Sequence, residues 1–229
     1  MQTKRSAKVL GQPNSQITKP TVHRDLGKVG CHLLEPETFS PKSLPLVSER
    51  EPEFSAALIA AAVTSTNSLP QCLESVRLDR LVSQCLDMTL PEAAFLAKLP
   101  GVSARRPQRT PEGFYGSLHQ AISECGLWSL FTVAAHAEWH RSIVPAAYNE
   151  RTGEIYPTEM AEWRADFRAM APECQMVAAT IVWLYRAGSD SIWLRRVSSA
   201  WRAVEALRYM RDADVLDLWL NLIVNYTGW

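Results

Sequence analysis

The aromatic residues of this chain are spread so unevenly that its packed region can be bounded before any helix or strand is drawn. Eight Trp, six Tyr and six Phe are present, and of these only Phe39 falls within the first 50 positions. Residues 1–50 instead hold five Pro, five Ser and three Gly, with eight basic against four acidic side chains. A segment so poor in aromatic and branched apolar groups buries too little surface to offset the entropy of ordering itself. It is therefore expected to be a basic, Pro/Ser-rich arm, largely extended or disordered. The packed part is expected over 51–229, with the Pro- and Arg-bearing stretch 101–112 as a candidate internal boundary.

The whole chain is 47% apolar over 229 residues, enough for one sizeable core. Its 24 basic and 24 acidic residues cancel, which excludes global electrostatic attraction as the main route to nucleic acid or acidic membranes. No apolar run approaches the roughly 18–20 residues that cross a bilayer, so no membrane span is expected. The N-terminus lacks the apolar stretch of a secretory signal. Five cysteines, Cys31, Cys72, Cys85, Cys125 and Cys174, form no Cys-x-x-Cys pair, which suggests neither a disulfide framework nor a zinc knuckle. A reducing, cytoplasmic setting fits best. The first acidic residue is Asp25, behind Lys4, Arg5 and Lys8. Such a start is compatible with an organellar transit peptide, a nucleic-acid-contacting arm or a solvated tail.

From residue 51 the patterning is helical, and the expected fold class is all-α, an irregular multi-helix bundle. Glu51-Pro52-Glu53 opens an alanine-rich stretch in the way that suits a first helical turn. Ser68-Leu69-Pro70-Gln71 and Thr89-Leu90-Pro91-Glu92 each pair a hydroxyl with an amide or carboxylate three residues on, the capping-box arrangement. Met160, Trp163, Phe167 and Met170 recur at 3-4-3 spacing, which predicts an amphipathic helix closed by Pro172. The run from Glu173 to Tyr185 is apolar nearly all round and is expected to be the most buried helix. After the Gly188-Ser189-Asp190 turn, a helix is expected from about Ser191 to Arg211, with Trp193, Val197, Trp201, Val204 and Leu207 on one face. No segment shows sustained two-residue alternation, so no strand is expected.

Four constellations bear on chemistry. An apolar helix is expected around 117–144, and on it Cys125, Ser129, Thr132, His136 and His140 share one stripe. His136 and His140 lie one turn apart, the spacing at which two imidazoles share a metal, which makes them weak candidates for a metal-dependent hydrolase. Zinc normally takes three or four protein ligands, and one helix here supplies two at most.

The second is Phe95-Leu96-Ala97-Lys98-Leu99-Pro100-Gly101-Val102-Ser103, with Arg105, Arg106 and Arg109 behind it. Its Leu-Pro-Gly-Val turn resembles the hairpin of helix-hairpin-helix DNA-binding modules. That resemblance implies backbone amides aimed at a phosphate, with the arginines as further phosphate contacts. It departs from the pattern at Ser103, which stands where the second tight position takes glycine, and at Pro107, which interrupts the second helix after one turn.

The third is a helix-turn-helix pairing of 173–187 with 191–211, which places Arg195, Arg196 and Arg202 on the outer face. The fourth is the C-terminal segment, where Trp219, Tyr226 and Trp229 supply the residue types that dominate binding hot spots. Every basic residue after Lys98 is arginine, the cation suited to packing on aromatics and gripping anions.

No complete catalytic set stands beside these interface-type residues, and no cofactor is implied. The expected function is a non-enzymatic, regulatory or interaction protein. It would bind a protein partner, or itself, through a Trp/Arg-rich surface. The rival is a nucleic-acid-binding protein, regulatory or packaging, using Lys4, Arg5, Lys8, Arg105, Arg106, Arg109, Arg195, Arg196 and Arg202.

Overall fold

A computed structural model describes residues 51–64, 71–99, 107–149, 151–188, 192–195 and 200–229. The chain divides into two units, Met1–Leu44 and Pro45–Trp229, and everything described belongs to the second. The arm residues Lys4, Arg5 and Lys8, the first capping box and the side chains of Cys31 and Cys72 lie outside the described residues.

The described fold is mostly helical with one two-stranded sheet. Helices α1 (Glu51–Thr64), α2 (Gln71–Glu74), α3 (Leu78–Cys85) and α4 (Leu90–Leu96) come first. At α4 the second capping box forms: the Thr89 amide donates to Glu92 Oε2 at 2.7 Å and its hydroxyl to the same oxygen at 2.6 Å. Helix α5 (Pro111–Glu124) starts on Thr110, whose hydroxyl accepts from the Gly113 amide at 3.1 Å. It buries Phe114, Leu118, Ala121 and Ile122, a single stripe at helical spacing.

Helix α5 stops where the sequence pattern predicted continuation. Gly126 adopts φ 64°, a left-handed conformation that glycine enters without the Cβ penalty and that closes helices. A tight turn at Leu127–Ser129 follows, then strand β1 (Phe131–Val133), which pairs antiparallel with β2 (Ile143–Pro145). The register sets Phe131 opposite Pro145, Thr132 opposite Val144 and Val133 opposite Ile143. The fold is thus not strictly all-α. Aromatic and β-branched residues cluster at just these positions and fit a pleated strand better than a helix. Cys125, Ser129, Thr132, His136 and His140 consequently do not share a helix face.

Helix α6 (Pro157–Ala169) turns Met160, Trp163 and Phe167 inward. The Trp163 indole stacks on Phe167 with ring centres 5.4 Å apart, and its N–H donates to the Leu130 carbonyl at 2.8 Å. Helix α7 (Pro172–Tyr185) is buried continuously from Met176 to Leu184. Its end is fixed by Gly188, at φ 88°, whose amide donates to the Trp183 carbonyl at 2.7 Å. Here any Cβ would strike Ser83.

The helix expected from Ser191 begins instead at Ala203, where α8 (Ala203–Asp212) starts. Residues 192–194 form a bend, and Arg202 pairs with Arg77 in an isolated antiparallel bridge just ahead of α8. The Leu78 amide donates to the Trp201 carbonyl at 2.9 Å and the Ala203 amide to the Val76 carbonyl at 2.7 Å. Backbone pairing with a remote segment thus outcompetes local helix formation. Ala203, Val204, Leu207 and Met210 still face the core. Val197 and Arg196 lie outside the described residues.

Helix α9 (Leu216–Asn225) packs against α4, α5, α7 and α8. Trp219 is fully buried, and its N–H donates to Thr180 Oγ1 at 2.8 Å. Truncation at Trp219→Ala therefore leaves a cavity and removes the donor from which the Thr180 oxygen accepts. The expected cost is about 3–5 kcal/mol of unfolding free energy. Urea titration of the purified chain measures it, and a loss under about 1 kcal/mol contradicts the packing described.

Candidate functional site

The connection between β1 and β2 contains a tight turn at Trp139–Ser142. Together with Pro111 at the start of α5 and the Thr227-Gly228 segment after α9, it encloses a cavity of about 630 Å³. His136, Glu138, Trp139, His140 and Arg141 all line it. His136 and His140 thus line one cavity from the β1–β2 connection, not from one helix face.

The two imidazoles differ sharply. His136 is exposed, whereas His140 is only 3% exposed. The Nδ1 of His140 lies 3.3 Å from the Pro111 carbonyl, which accepts only, so Nδ1 is the donor in that contact. Nε2 is buried with no hydrogen-bond partner. Phe114 and Trp229 flank the ring at 5.1 and 5.8 Å between centres. Burial pushes the His140 pKa below its ordinary value, against the backbone of Pro111 and Gly228, which favours the charged ring. With one nitrogen engaged by a carbonyl and the other sealed from solvent, His140 is placed as a packed neutral imidazole. No three His, Cys, Asp or Glu side chains converge on a metal-sized site among the described residues.

The C-terminal anchors point inward rather than out. Trp219 is core, and Tyr226 is buried with its hydroxyl donating to the Leu184 carbonyl at 3.1 Å. Trp229 is half-buried and meets Phe114, His140 and Tyr185 edge-on, at 5.6, 5.8 and 5.1 Å. Helix α9 itself is covered by α4, α5, α7 and α8.

A separate series of rings reaches the surface, with Tyr115 half-buried and His119, Trp128 and Trp139 exposed. Tyr115 and His119, one turn apart along α5, stand 5.9 Å from each other. Tyr115 meets Trp139 at 6.1 Å and His119 meets Trp128 at 5.3 Å, so four rings run in series across the surface. Trp139 is 46% exposed and Trp128 40%. Trp139 also holds φ 53°, a conformation unusual for a bulky residue. Only the helical pair within this stripe had a signal in the sequence, because hairpin geometry brings in both tryptophans.

The arginines separate into a half-buried one and an exposed group. Arg109 turns inward: its Nε donates to the Tyr226 carbonyl at 2.8 Å, and Nη1 bonds the Met88 carbonyl. Burial lowers its pKa, with Glu92 opposing that shift. In this position it clamps the segment after α9 to the residue before α4's cap. Residues 100–106, with Arg105, Arg106 and the hairpin-like turn, lie outside the described residues. Arg195 is exposed, and Arg202, also exposed, stands 3.6 Å from Glu205. Since 192–194 is a bend, no recognition helix starts at Ser191, and the helix-turn-helix pairing is not formed there.

No family model, curated protein or solved structure matches this chain.

Cysteine chemistry is muted in this setting. Burial drives the Cys85 and Cys125 thiols up to about 12 and raises Cys174 as well, so all three stay protonated at neutral pH.

A pH dependence follows from His140. Its folded-state pKa lies below the ordinary 6.5, so below that pH the unfolded chain binds more protons. The stability contributed by the neutral ring is complete above pH 6.5 and is lost as pH falls through the window beneath it. Melting temperature is expected to drop between about pH 7 and about pH 5.5, and less steeply in His140→Gln. Parallel slopes in the two proteins would refute the assignment.

Proposed function

We propose that this protein is a non-enzymatic interaction module that engages a protein partner through the Trp139–Tyr115–His119–Trp128 stripe. The observation carrying this reading is four consecutive rings on one surface, with both tryptophans close to half exposed. Large rigid rings contribute much contact area and lose little side-chain entropy on docking. They are costly to leave in water unless something covers them part of the time. Arg141 and Glu138, exposed beside Trp139, supply the polar rim that surrounds such an apolar centre. The core does not depend on these indoles, so their solvent-facing atoms remain available for a partner.

A second reading has its own observation. Arg77 and Arg202 sit opposite each other in an isolated antiparallel bridge, and both side chains are more than half exposed. With Arg195 they form an arginine-bearing face able to meet a polyanion such as nucleic acid. Binding to random-sequence DNA or RNA that weakens steeply with added salt, and is reduced by Arg195→Gln with Arg202→Gln, supports it. Undetectable binding at low salt removes it.

For the leading reading, Trp128→Ala and Trp139→Ala are expected to leave the melting temperature within a few degrees of the parent. The double variant is expected to lose partner retention by about tenfold or more in quantitative pull-downs from the native host. Retention of the same proteins in the same amounts by the double variant would overturn the proposal. If the partner is a second copy of the chain, sedimentation shows the same loss as a shift to monomer.

A further inference from the structure

The face that carries Arg77 and Arg195 also holds a cleft. At the start of α3, the Arg77-Asp79 pair faces the beginning of α6 and the bend at 192–195 across a cleft of about 690 Å³. That volume lies in the range of small-molecule sites. Its inner wall is apolar: Met160, Trp183 and Leu194 line it, all buried residues, and Ile155 at the mouth is 46% exposed.

Its polar lining is cationic. Arg77, Arg164 and Arg195 stand against a single carboxylate, Asp79, an excess of two positive charges in a chain whose formal net charge is zero. The three arginines have separate tasks. Arg164 donates from Nε to the Trp193 carbonyl at 3.2 Å and from Nη2 to the Ile192 carbonyl, which holds the bend in place as one wall. Arg77 grips Asp79 through Nε at 3.0 Å and Nη2 at 3.1 Å, which fixes the guanidinium plane and leaves Nη1 out of that pair. Arg195 is exposed at the mouth and makes no hydrogen bond or ion pair with the other described residues.

We propose that this cleft binds a small amphipathic anion, a carboxylate or phosphate head carried on a hydrocarbon body. The head lies against Arg195 and Arg77 Nη1, since guanidinium presents several donors in one plane and is weakly hydrated for a cation. The body lies along Ile155, Met160, Trp183 and Leu194, where each buried methylene adds about fourfold in affinity. Neither half suffices: an exposed arginine holds a bare anion weakly in water, and the wall is too short to retain a neutral chain. This site shares no residue with the aromatic stripe and does not depend on a protein partner.

Calorimetric titration of the full chain with octanoate, octyl phosphate, 1-octanol and inorganic phosphate tests the proposal. One-to-one saturable binding of octanoate or octyl phosphate is expected, and the tighter of the two identifies the head. Octanol and inorganic phosphate are each expected to bind at least about tenfold more weakly. Arg195→Gln is expected to lose about tenfold for the charged probes and leave octanol unchanged. Ile155→Ser is expected to weaken both charged probes with no change for phosphate. Both residues are exposed, and circular dichroism verifies that the variants fold. No saturable binding of either charged probe, equal binding of octanol, equal binding of bare phosphate or an unaltered affinity in Arg195→Gln would each overturn it.

Discussion

Helix α7 is buried from Met176 to Leu184, and Thr180 in that run governs how its neighbours settle. The Thr180 hydroxyl donates back to the Met176 carbonyl at 2.8 Å, which leaves its oxygen free to accept. The Trp219 N–H, at 2.8 Å, is what it accepts from. Leaving either group unpaired in an apolar interior costs more than the bond itself contributes. The pairing therefore selects one rotation and one height of α9 against α7. Apolar packing alone would tolerate others, since Leu218, Leu220, Leu222 and Ile223 are interchangeable in chemistry and similar in size.

Once α9 is fixed, its C-terminal end determines what surrounds the cavity. Asn225 receives the Gln108 amide at 2.7 Å and donates to Ser117 at 3.0 Å, which joins the approach to α5 and α5 itself to the end of α9. Arg109, next in the chain, adds its bonds to the Tyr226 and Met88 carbonyls. Removing a guanidinium from water is costly, and carbonyls offset only part of that loss. Glu92 opposes part of that cost as a nearby opposite charge, while its Oε2 caps α4. One carboxylate thus serves both a helix start and a half-buried cation. The same arrangement carries the chain onward so that Tyr226 and Trp229 meet the Phe114 ring edge-on.

What could be read from the sequence and what could not divides by the range of the forces involved. The α4 capping box, the inward face of α6 and the full burial of α7 are local or rest on sustained periodicity, and the residues declare them. The β1–β2 hairpin was hidden because three-residue strands are too short to display alternation, although Gly126 followed by Phe131, Thr132 and Val133 held the clue. The misplaced start of α8 has a different origin. Trp193 and Trp201 fit a helical period, yet Trp193 sends its N–H to the Ala146 carbonyl at 2.8 Å and the Trp201 carbonyl takes the Leu78 amide. Both partners are distant in sequence, so no window of neighbouring residues reveals them. The aromatic stripe obeys the same division: Tyr115 and His119 are a helix pair, whereas Trp128 and Trp139 arrive by way of the hairpin.

Trp193 also shows how the two exposed surfaces depend on one interior. It sits between Ile192 and Leu194, which line the arginine-bearing cleft, and its ring meets Tyr185 at 5.9 Å. Tyr185 meets Trp229 at 5.1 Å, and Trp229 meets both His140 and Phe114. Every contact in that series from Trp193 to Phe114 is edge-on or nearly so, the arrangement in which the positive rim of one ring faces the negative face of the next. Such contacts specify orientation as well as distance, which aliphatic packing does not. They hold the wall of the cleft and the floor beneath Trp139 in fixed attitudes, so the rings left facing solvent are presented on a rigid base. A rigid base lowers the ordering cost that any partner or ligand must overcome on binding.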